Sequence, residues 1–108
     1  MIVNEYRLGP HEYLVLSGTG PRIHLLIFTF QSVNAFLVDP ANRAAYVAGQ
    51  RFRHLGPGRV SQFGKQCVLP FDGECFAVIE NPGESAVDVA AELTSMGPWT
   101  QPHADIGK

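Results

Sequence analysis

Cysteine is scarce in this sequence, and its scarcity excludes two classes of small domain. The chain has 108 residues and two cysteines, Cys67 and Cys75. Two are too few for a disulfide scaffold and too few for a four-ligand zinc site. Because they flank the turn-forming residues 70–73, we expect them to face each other across a hairpin. They would form a cross-strand disulfide or, as the stronger prediction, pack as two small apolar side chains.

Long apolar runs and an excess of one charge are also missing. The net charge is −2, so nothing global favours binding to nucleic acid or to an anionic membrane. No apolar run reaches the length of about 18 residues that a membrane-spanning helix needs. The first ten residues lack the basic start and apolar stretch of a signal peptide. We therefore expect a cytoplasmic protein with no membrane span and no nucleic-acid partner.

Motifs for catalysis and metal binding are missing as well. The histidines, His11, His24, His54 and His103, do not occur at metal-ligand spacings, and no paired Cys-x-x-Cys is present. No serine lies in the Gly-x-Ser-x-Gly pattern of a nucleophile elbow. Residues 18–21 are glycine-rich but link two predicted strands, whereas a phosphate cradle needs a helix N-terminus. These absences predict a protein that is not an enzyme and has neither a cofactor nor a metal.

Glycine and proline are abundant, with eleven and eight residues, and they divide the chain into short segments. These segments show the period-two alternation of β-strands. Strands are predicted over 2–8, 11–17, 22–30, 35–38, 60–69, 74–80 and 85–94, and a further short strand over 51–55. Seven to eight strands at this spacing predict one all-β domain over 1–96, an antiparallel β-sandwich or jelly roll connected mostly by hairpins. Residues 97–108 have no periodicity and are expected to form a Pro-containing tail.

One stretch interrupts the strands near residues 40–49. Asp39 suits a helix N-cap, and Pro40 suits the first helical turn. The alanine-rich residues that follow favour a helix, and Gly49 would end it. The sequence therefore predicts one short helix here, or a looser turn with Tyr46 packed in the core.

The order of features over residues 35–93 resembles that of a known family. A strand ends in Phe36-Leu37-Val38-Asp39, Asn42 and Tyr46 follow, a glycine-and-basic cluster comes next, and residues 76–79 form an aromatic-aliphatic strand. This order resembles a family of small bacterial domains of unknown function whose sandwich is similar to the GOLD (Golgi-dynamics) domain. The resemblance implies a GOLD-like β-sandwich that acts by interaction and not by catalysis.

A basic loop after the insert is the strongest binding candidate. It contains Arg51, Arg53 and His54, with Arg59 beyond. If the segment is a strand, Arg51 and Arg53 project on the same face. Two adjacent guanidiniums would suit a carboxylate or a phosphate, because each offers a planar fork of donors. The alternative is a solvated edge strand whose charges prevent aggregation between sheets.

We hypothesise that the domain binds a protein partner, or itself as a homodimer, through an edge strand and this basic loop. The alternative function is a small-ligand or carbohydrate-binding jelly roll, in which an exposed aromatic such as Tyr46, Phe52 or Trp99 stacks on a sugar. The predicted binding residues are Arg51, Arg53, His54, Arg59, Tyr46 and Phe52. A further expectation is that Glu80 and Asp88 oppose each other across the turn at 81–84. They would form an acidic face that supports self-association.

Overall fold

The described part of the chain consists mainly of β-strands. The computed structural model describes residues 4–29, 31–53, 55–60, 63–68, 73–95 and 103–107. These residues form nine strands: β1 (Asn4–Leu8), β2 (Tyr13–Gly20), β3 (Ile23–Thr29), β4 (Val33–Val38), β5 (Leu55–Val60), β6 (Phe63–Val68), β7 (Gly73–Glu80), β8 (Val87–Ser95) and β9 (His103–Gly107). One helix, α1 (Pro40–Val47), lies between β4 and β5.

The strands form two antiparallel sheets. The four-stranded sheet has the order β1-β8-β3-β6, and the five-stranded sheet has the order β5-β4-β7-β2-β9. One cluster of buried side chains draws its members from both sheets, so the sheets pack face to face. This arrangement confirms the predicted all-β antiparallel sandwich with one short helix. The strand count exceeds the predicted seven to eight because β9 is added at the edge of the five-stranded sheet.

The connections between strands correct the prediction of hairpins. Among the described strands, β4 and β5 are the only consecutive pair that is hydrogen-bonded. The order 1-8-3-6 facing 5-4-7-2 is that of a jelly roll, in which the chain crosses between sheets at nearly every connection. Alternation along a strand assigns its two faces but not its neighbours, so the sequence pattern could not distinguish these arrangements.

The predicted hairpin between the two cysteines is wrong for the same reason. Cys67 lies on β6, which pairs with β3, whereas Cys75 lies on β7, which pairs with β2 and β4. The two residues therefore occupy different sheets. Cys75 is fully buried in the core, as the prediction of a small packed side chain requires.

The core between the sheets follows from alternation. On β3, Ile23, Leu25 and Ile27 are fully buried and point toward the five-stranded sheet. On β8, the four inward residues are Val87, Val89, Ala91 and Leu93, all at most 5% exposed. Each fully buried aliphatic side chain stabilises the fold by about 1.5–3 kcal/mol relative to its exposed state. The burial along β8 follows the period-two alternation of apolar residues in the predicted strand over 85–94.

The main differences from the predicted strands are found in β2, β5 and β9. β2 continues through Gly20, so residues 18–20 belong to a strand and not to a turn. β5 spans Leu55–Val60, whereas the sequence predicted a strand over 51–55 and a loop at 56–58. β9 lies within the stretch predicted as a tail, and it pairs with β2. At its end Gly107 is tightly packed, since a Cβ there would lie 2.7 Å from the Tyr13 ring.

Helix α1 begins and ends where the sequence predicts. Asp39 is its N-cap, and the Asp39 Oδ1 atom accepts a hydrogen bond from the Asn42 backbone N–H at 2.8 Å. Gly49 has a φ of +73°, which glycine adopts without strain, and its N–H donates to the Tyr46 carbonyl. The next N–H, of Gln50, donates to the Ala45 carbonyl at 2.8 Å, which completes a Schellman motif. At eight residues, α1 is too short to cross a membrane, and the described residues contain no helix that could.

Asn81 joins the connection between β1 and β2 to the connection between β7 and β8. Its side chain is 2% exposed. The Nδ2 group donates to the carbonyls of Leu8, Gly9 and Ser85 at 3.2, 3.0 and 2.8 Å, and Oδ1 accepts from the Gly83 N–H at 3.0 Å. A buried amide must be satisfied in this way, so Asn81 fixes the positions of two loops that link the two sheets.

Candidate interaction site

Helix α1 covers the outer face of the five-stranded sheet. A second cluster of buried residues lies there, formed by Val15, Phe36, Val38 and Val78. Strand β4 is apolar on both faces, so its outward residues need a cover as much as its inward ones do. Tyr13, Tyr46, Phe52 and Phe76 pack around this cluster and are half-buried. We call Tyr13, Phe36, Tyr46 and Phe52 the outer aromatic cluster.

Tyr46 is the centre of the outer aromatic cluster. Its ring centroid lies 5.7 Å from that of Tyr13, 5.4 Å from that of Phe36 and 5.2 Å from that of Phe52, with interplanar angles of 87°, 69° and 83°. Edge-to-face pairs of this kind contribute about 0.5–1.5 kcal/mol each beyond simple burial. Tyr46 therefore joins α1 both to the sheet and to residues 50–53. Neither Tyr46 nor Phe52 is the freely exposed aromatic that the carbohydrate hypothesis expected.

The Tyr46 hydroxyl donates a hydrogen bond to Glu80 Oε2 at 2.6 Å. Burial raises the pKa of Tyr46 well above its ordinary value, and the hydrogen bond and negative charge of Glu80 raise it further. The phenol is therefore protonated at neutral pH and holds the helix to β7 as a hydrogen-bond donor.

Arg43 extends from α1 over the same sheet. Its guanidinium carbon lies 4.8 Å from the centroid of the Phe76 ring, which is the geometry of a cation–π contact. Its Nε atom is buried and has no hydrogen-bond partner among the described residues. The sequence did not point to Arg43, because an arginine in a short amphipathic helix gives no signal of the ring beneath it.

The basic segment, which we define as residues 51–53, is held at two points, one on α1 and one on β4. The Arg53 backbone N–H donates to Asn42 Oδ1 at 2.7 Å, while Asn42 Nδ2 donates to the N-cap Asp39 at 2.9 Å. Between the two arginines, the Phe52 ring packs against Phe36 at 5.3 Å. The N-cap and the basic segment are thus linked through one side chain, that of Asn42.

Arg51 and Arg53 are both exposed, although the reason differs from the predicted one. The basic segment is not a strand, so the argument from strand alternation does not apply. Instead, Phe52 is turned toward the sheet, and the residues on either side of it face solvent. No carboxylate among the described residues pairs with either guanidinium. The structure therefore brings together Arg51, Arg53, Tyr46 and Phe52 of the predicted site.

The remaining predicted residues are only partly placed. His54 and Trp99 lie outside the described residues. Arg59 is placed by its backbone on β5, opposite Asn34 of β4. β5 is an edge strand of the five-stranded sheet, and it follows the basic segment directly. It contains Pro57, which has no N–H to donate to an added strand, and its pairing with β4 shifts register between Ala35 and Leu37.

The predicted pairing of Glu80 with Asp88 is wrong. Glu80 ends β7 in the five-stranded sheet, and Asp88 lies on β8 in the four-stranded sheet. Asp88 instead pairs with Arg7 at 3.1 Å on an exposed surface. The segment after Glu80 crosses between the sheets, so it does not form the turn of a hairpin.

The described residues form two surface depressions and no metal-binding cluster. Those residues contain no group of three or more histidine, cysteine or acidic side chains that could hold a metal ion. A hollow of about 150 Å³ is lined by His11, Tyr13, Glu80, Asn81 and Pro82. It is smaller than the roughly 300–1,000 Å³ of typical small-molecule sites. A larger depression of about 730 Å³ lies on the four-stranded sheet, around Phe28.

Comparisons with known proteins add no further assignment. No family model, no curated protein and no solved structure matches the chain.

Proposed function

We propose that this domain is a non-enzymatic interaction module that binds an acidic surface of a protein partner, or of a second copy, through the basic segment. The supporting observation is that Arg51 and Arg53 are exposed and lack a carboxylate partner among the described residues, on a segment held in place by Asn42 and Phe52.

Fixing the backbone before binding favours association. The hydrogen bond from the Arg53 N–H to Asn42 and the packing of Phe52 fix the backbone that carries the two exposed arginines. The basic segment would then lose less conformational entropy on binding than a free loop would. Each guanidinium can donate two parallel hydrogen bonds to one carboxylate.

In this proposal the edge strand β5, beside the basic segment, does not pair with a strand of the partner. Pro57 and the register shift make β5 a poor template for an added strand. Side-chain contacts from the arginines therefore supply the affinity, and β5 supplies the adjoining surface. The backbone of Arg59 lies on that strand, opposite Asn34 of β4.

Two finer hypotheses accompany this proposal. We propose a GOLD-like relationship on the strength of the feature order over residues 35–93, which includes the insert with Asn42 and Tyr46. The small-ligand or carbohydrate alternative would have to use a surface outside the filled core, because aliphatic side chains occupy the space between the sheets. A thermal-shift panel of sugars and metabolites tests that alternative.

The main test measures binding of a fluorescent ten-residue polyglutamate peptide by anisotropy at low ionic strength. We expect Arg51→Ala/Arg53→Ala to weaken binding about tenfold or more, because charge-assisted hydrogen bonds contribute about 1.5–3 kcal/mol each. The melting temperature should change by less than about 2 °C, since exposed side chains contribute little to stability.

Arg7→Ala is the matched control for this test. It also removes one exposed arginine, but from the four-stranded sheet, where Arg7 already pairs with Asp88. It should leave peptide binding unchanged. Equal affinity of the double variant and the wild type would show that the basic segment is not the binding site.

A further inference from the structure

The outer face of the four-stranded sheet carries an exposed aromatic side chain. Phe28 of β3 is 47% exposed, whereas Phe36, on the outer face of the other sheet, is 6% exposed. Leu26, two residues before Phe28 on the same face, is half-buried. The one described helix packs on β4 and β7 of the five-stranded sheet, so it leaves this face open. The ring thus offers an aromatic surface that a partner could contact.

A depression of about 730 Å³ is lined by Phe28 and by residues of β1 and β8. Phe28, Ala90 and Glu5 lie in one row across β3, β8 and β1, as the strand registers show. Neighbouring strands are about 4.8 Å apart, so the small Ala90 side chain leaves a gap between the ring and the Glu5 carboxylate. Asp88 and Arg7 form the next row and also line the depression, where they pair with each other at 3.1 Å. The Glu5 carboxylate is therefore the acceptor beside the ring that has no described cationic partner.

The chemistry of this depression suits a guanidinium. An aromatic face attracts a cation placed over it, and nearby carboxylates accept its hydrogen bonds. The described outward side chains of this sheet include three carboxylates, those of Glu5, Asp88 and Glu92, against the one guanidinium of Arg7.

We propose that this face binds the basic segment of a second copy of the chain, head to tail. The sequence Arg51-Phe52-Arg53 offers two guanidiniums with no described carboxylate partner, and the depression offers a ring with carboxylates on its rim. This inference rests on the proposed function, since it names the acidic surface that the basic segment binds. Charge complementarity selects this arrangement over face-to-face pairing, which would bring two acidic surfaces together.

The two surfaces lie on opposite sides of the sandwich, and this position determines the kind of assembly. The basic segment packs beside α1 on the five-stranded sheet, and the depression lies on the four-stranded sheet. When two copies bind in this way, one copy keeps an unoccupied basic segment and the other keeps an unoccupied depression. Such heterologous contacts continue into chains or close into rings, so the assembly grows beyond a dimer.

Sedimentation velocity at low ionic strength tests the proposal with two complementary variants. Arg51→Glu/Arg53→Glu removes the basic segment and keeps the depression. Glu5→Lys/Phe28→Lys removes the depression and keeps the basic segment. We expect the wild type to exceed the mass of a dimer as its concentration rises toward about 1 mM, the range of a weak contact. Each variant alone should be a monomer.

An equimolar mixture of the two variants provides the decisive measurement. Each copy then keeps one functional surface, so the mixture should form a 1:1 complex and grow no further. A wild type that remains monomeric, or a mixture that forms no complex, would overturn the proposal. If Arg51→Glu/Arg53→Glu associated as the wild type does and only Glu5→Lys/Phe28→Lys lost association, the copies would pair face to face. That result would also overturn the proposal.

The polyglutamate peptide separates this inference from the proposed function. The Glu5→Lys/Phe28→Lys variant should bind the peptide as the wild type does, which also shows that it is folded. A wild-type protein that stays monomeric but binds the peptide through its arginines would disprove the head-to-tail contact and leave the proposed function intact. Loss of both properties in the wild type would disprove both.

Discussion

The two outer faces of this sandwich start from the same sequence pattern and end differently. Strands β3 and β4 both have apolar residues at even and odd positions, which predicts strands covered on both sides. On β4, the outward Phe36 is 6% exposed beneath α1 and the outer aromatic cluster. On β3, the outward Phe28 is 47% exposed. An apolar outward residue therefore indicates a need for cover, but it does not show that the same chain supplies that cover.

Connectivity explains which face receives the helix. α1 lies between β4 and β5, and both of these strands belong to the five-stranded sheet. A short insert between two neighbouring strands folds back on the sheet that contains them. The four-stranded sheet has no described insert of this kind. The comparison can be tested by substitutions that affect one face, the other, or the links between them.

The largest expected difference is between two single substitutions, Phe36→Ala on one outer face and Phe28→Ala on the other. Phe36→Ala should lower the free energy of unfolding by about 3 kcal/mol, because it leaves a cavity beneath Tyr46 and Phe52. Phe28→Ala should change it by less than about 0.5 kcal/mol. Equilibrium denaturation measures both. Equal costs would mean that the two faces are equally covered.

The next effect concerns Asn81, which links loops from both sheets. Asn81→Ala should cost about 2 kcal/mol, because it leaves the carbonyls of Leu8, Gly9 and Ser85 without their donor. Asn81→Asp is the matched comparison: it can still accept from the Gly83 N–H, but it places a carboxylate against three carbonyls. Denaturation followed by two probes, one in each sheet, should give coincident curves in the wild type. A negligible cost for both variants would contradict the linking role of Asn81.

Tyr46→Phe removes the hydrogen bond from α1 to Glu80 and keeps the ring. We expect a loss of about 1 kcal/mol at neutral pH, which is typical of one hydrogen bond. The raised pKa of Tyr46 adds a pH dependence. Its contribution is complete below the ordinary tyrosine pKa of about 10 and is lost as pH rises through the higher pKa of the folded state. Thermal denaturation from pH 8 to 11 should therefore show a steeper decline for the wild type than for the variant.

The smallest effect concerns the N-cap of the covering helix. Hydrogen bonds from the backbone and side-chain amides of Asn42 lower the pKa of Asp39. The stability from this ionised cap is present above the ordinary aspartate pKa of about 3.9 and is lost as pH falls through the lower pKa of the folded state. Asp39→Ala should lower the melting temperature by about 2 °C at pH 7 and by less near pH 2. Asp39→Asn keeps the hydrogen-bond acceptor, so its melting temperature at pH 7 should lie between those of the wild type and Asp39→Ala. If Asp39→Ala lowered the melting temperature equally at both pH values, the result would argue against the ionised cap.

Local features were the predictable part of this molecule. Asp39, Pro40 and Gly49 specify the start and end of α1 through capping and positive φ, and each acts over only a few residues. Alternation on β8 likewise identified the buried residues 87, 89, 91 and 93. The basic segment was identified from composition alone, and its arginines are indeed exposed.

Features that depend on strands distant in sequence were not predictable. Glu80 and Asp88 are eight residues apart, yet they lie in different sheets because their strands pair with β2, β4, β1 and β3. The same lack of partner information led to a predicted hairpin between the cysteines. The contacts of Tyr46 with Glu80 and of Arg43 with Phe76 also join residues more than 30 positions apart. The periodicity of a strand does not show which distant strand or residue it contacts.

The crossing of the chain between sheets also determines how this domain can fold. β1 pairs with β8, so Asn4 meets Ala91, and β2 pairs with both β7 and β9. Few native pairings can therefore form between neighbouring segments, and chain entropy must be lost before the distant contacts compensate for it. Domains dominated by such contacts fold over milliseconds to seconds, far more slowly than helical bundles. During synthesis, the apolar residues of β1 and β3 stay exposed until β8 has been made and can pair with these strands. The chain is therefore most prone to aggregation in this interval.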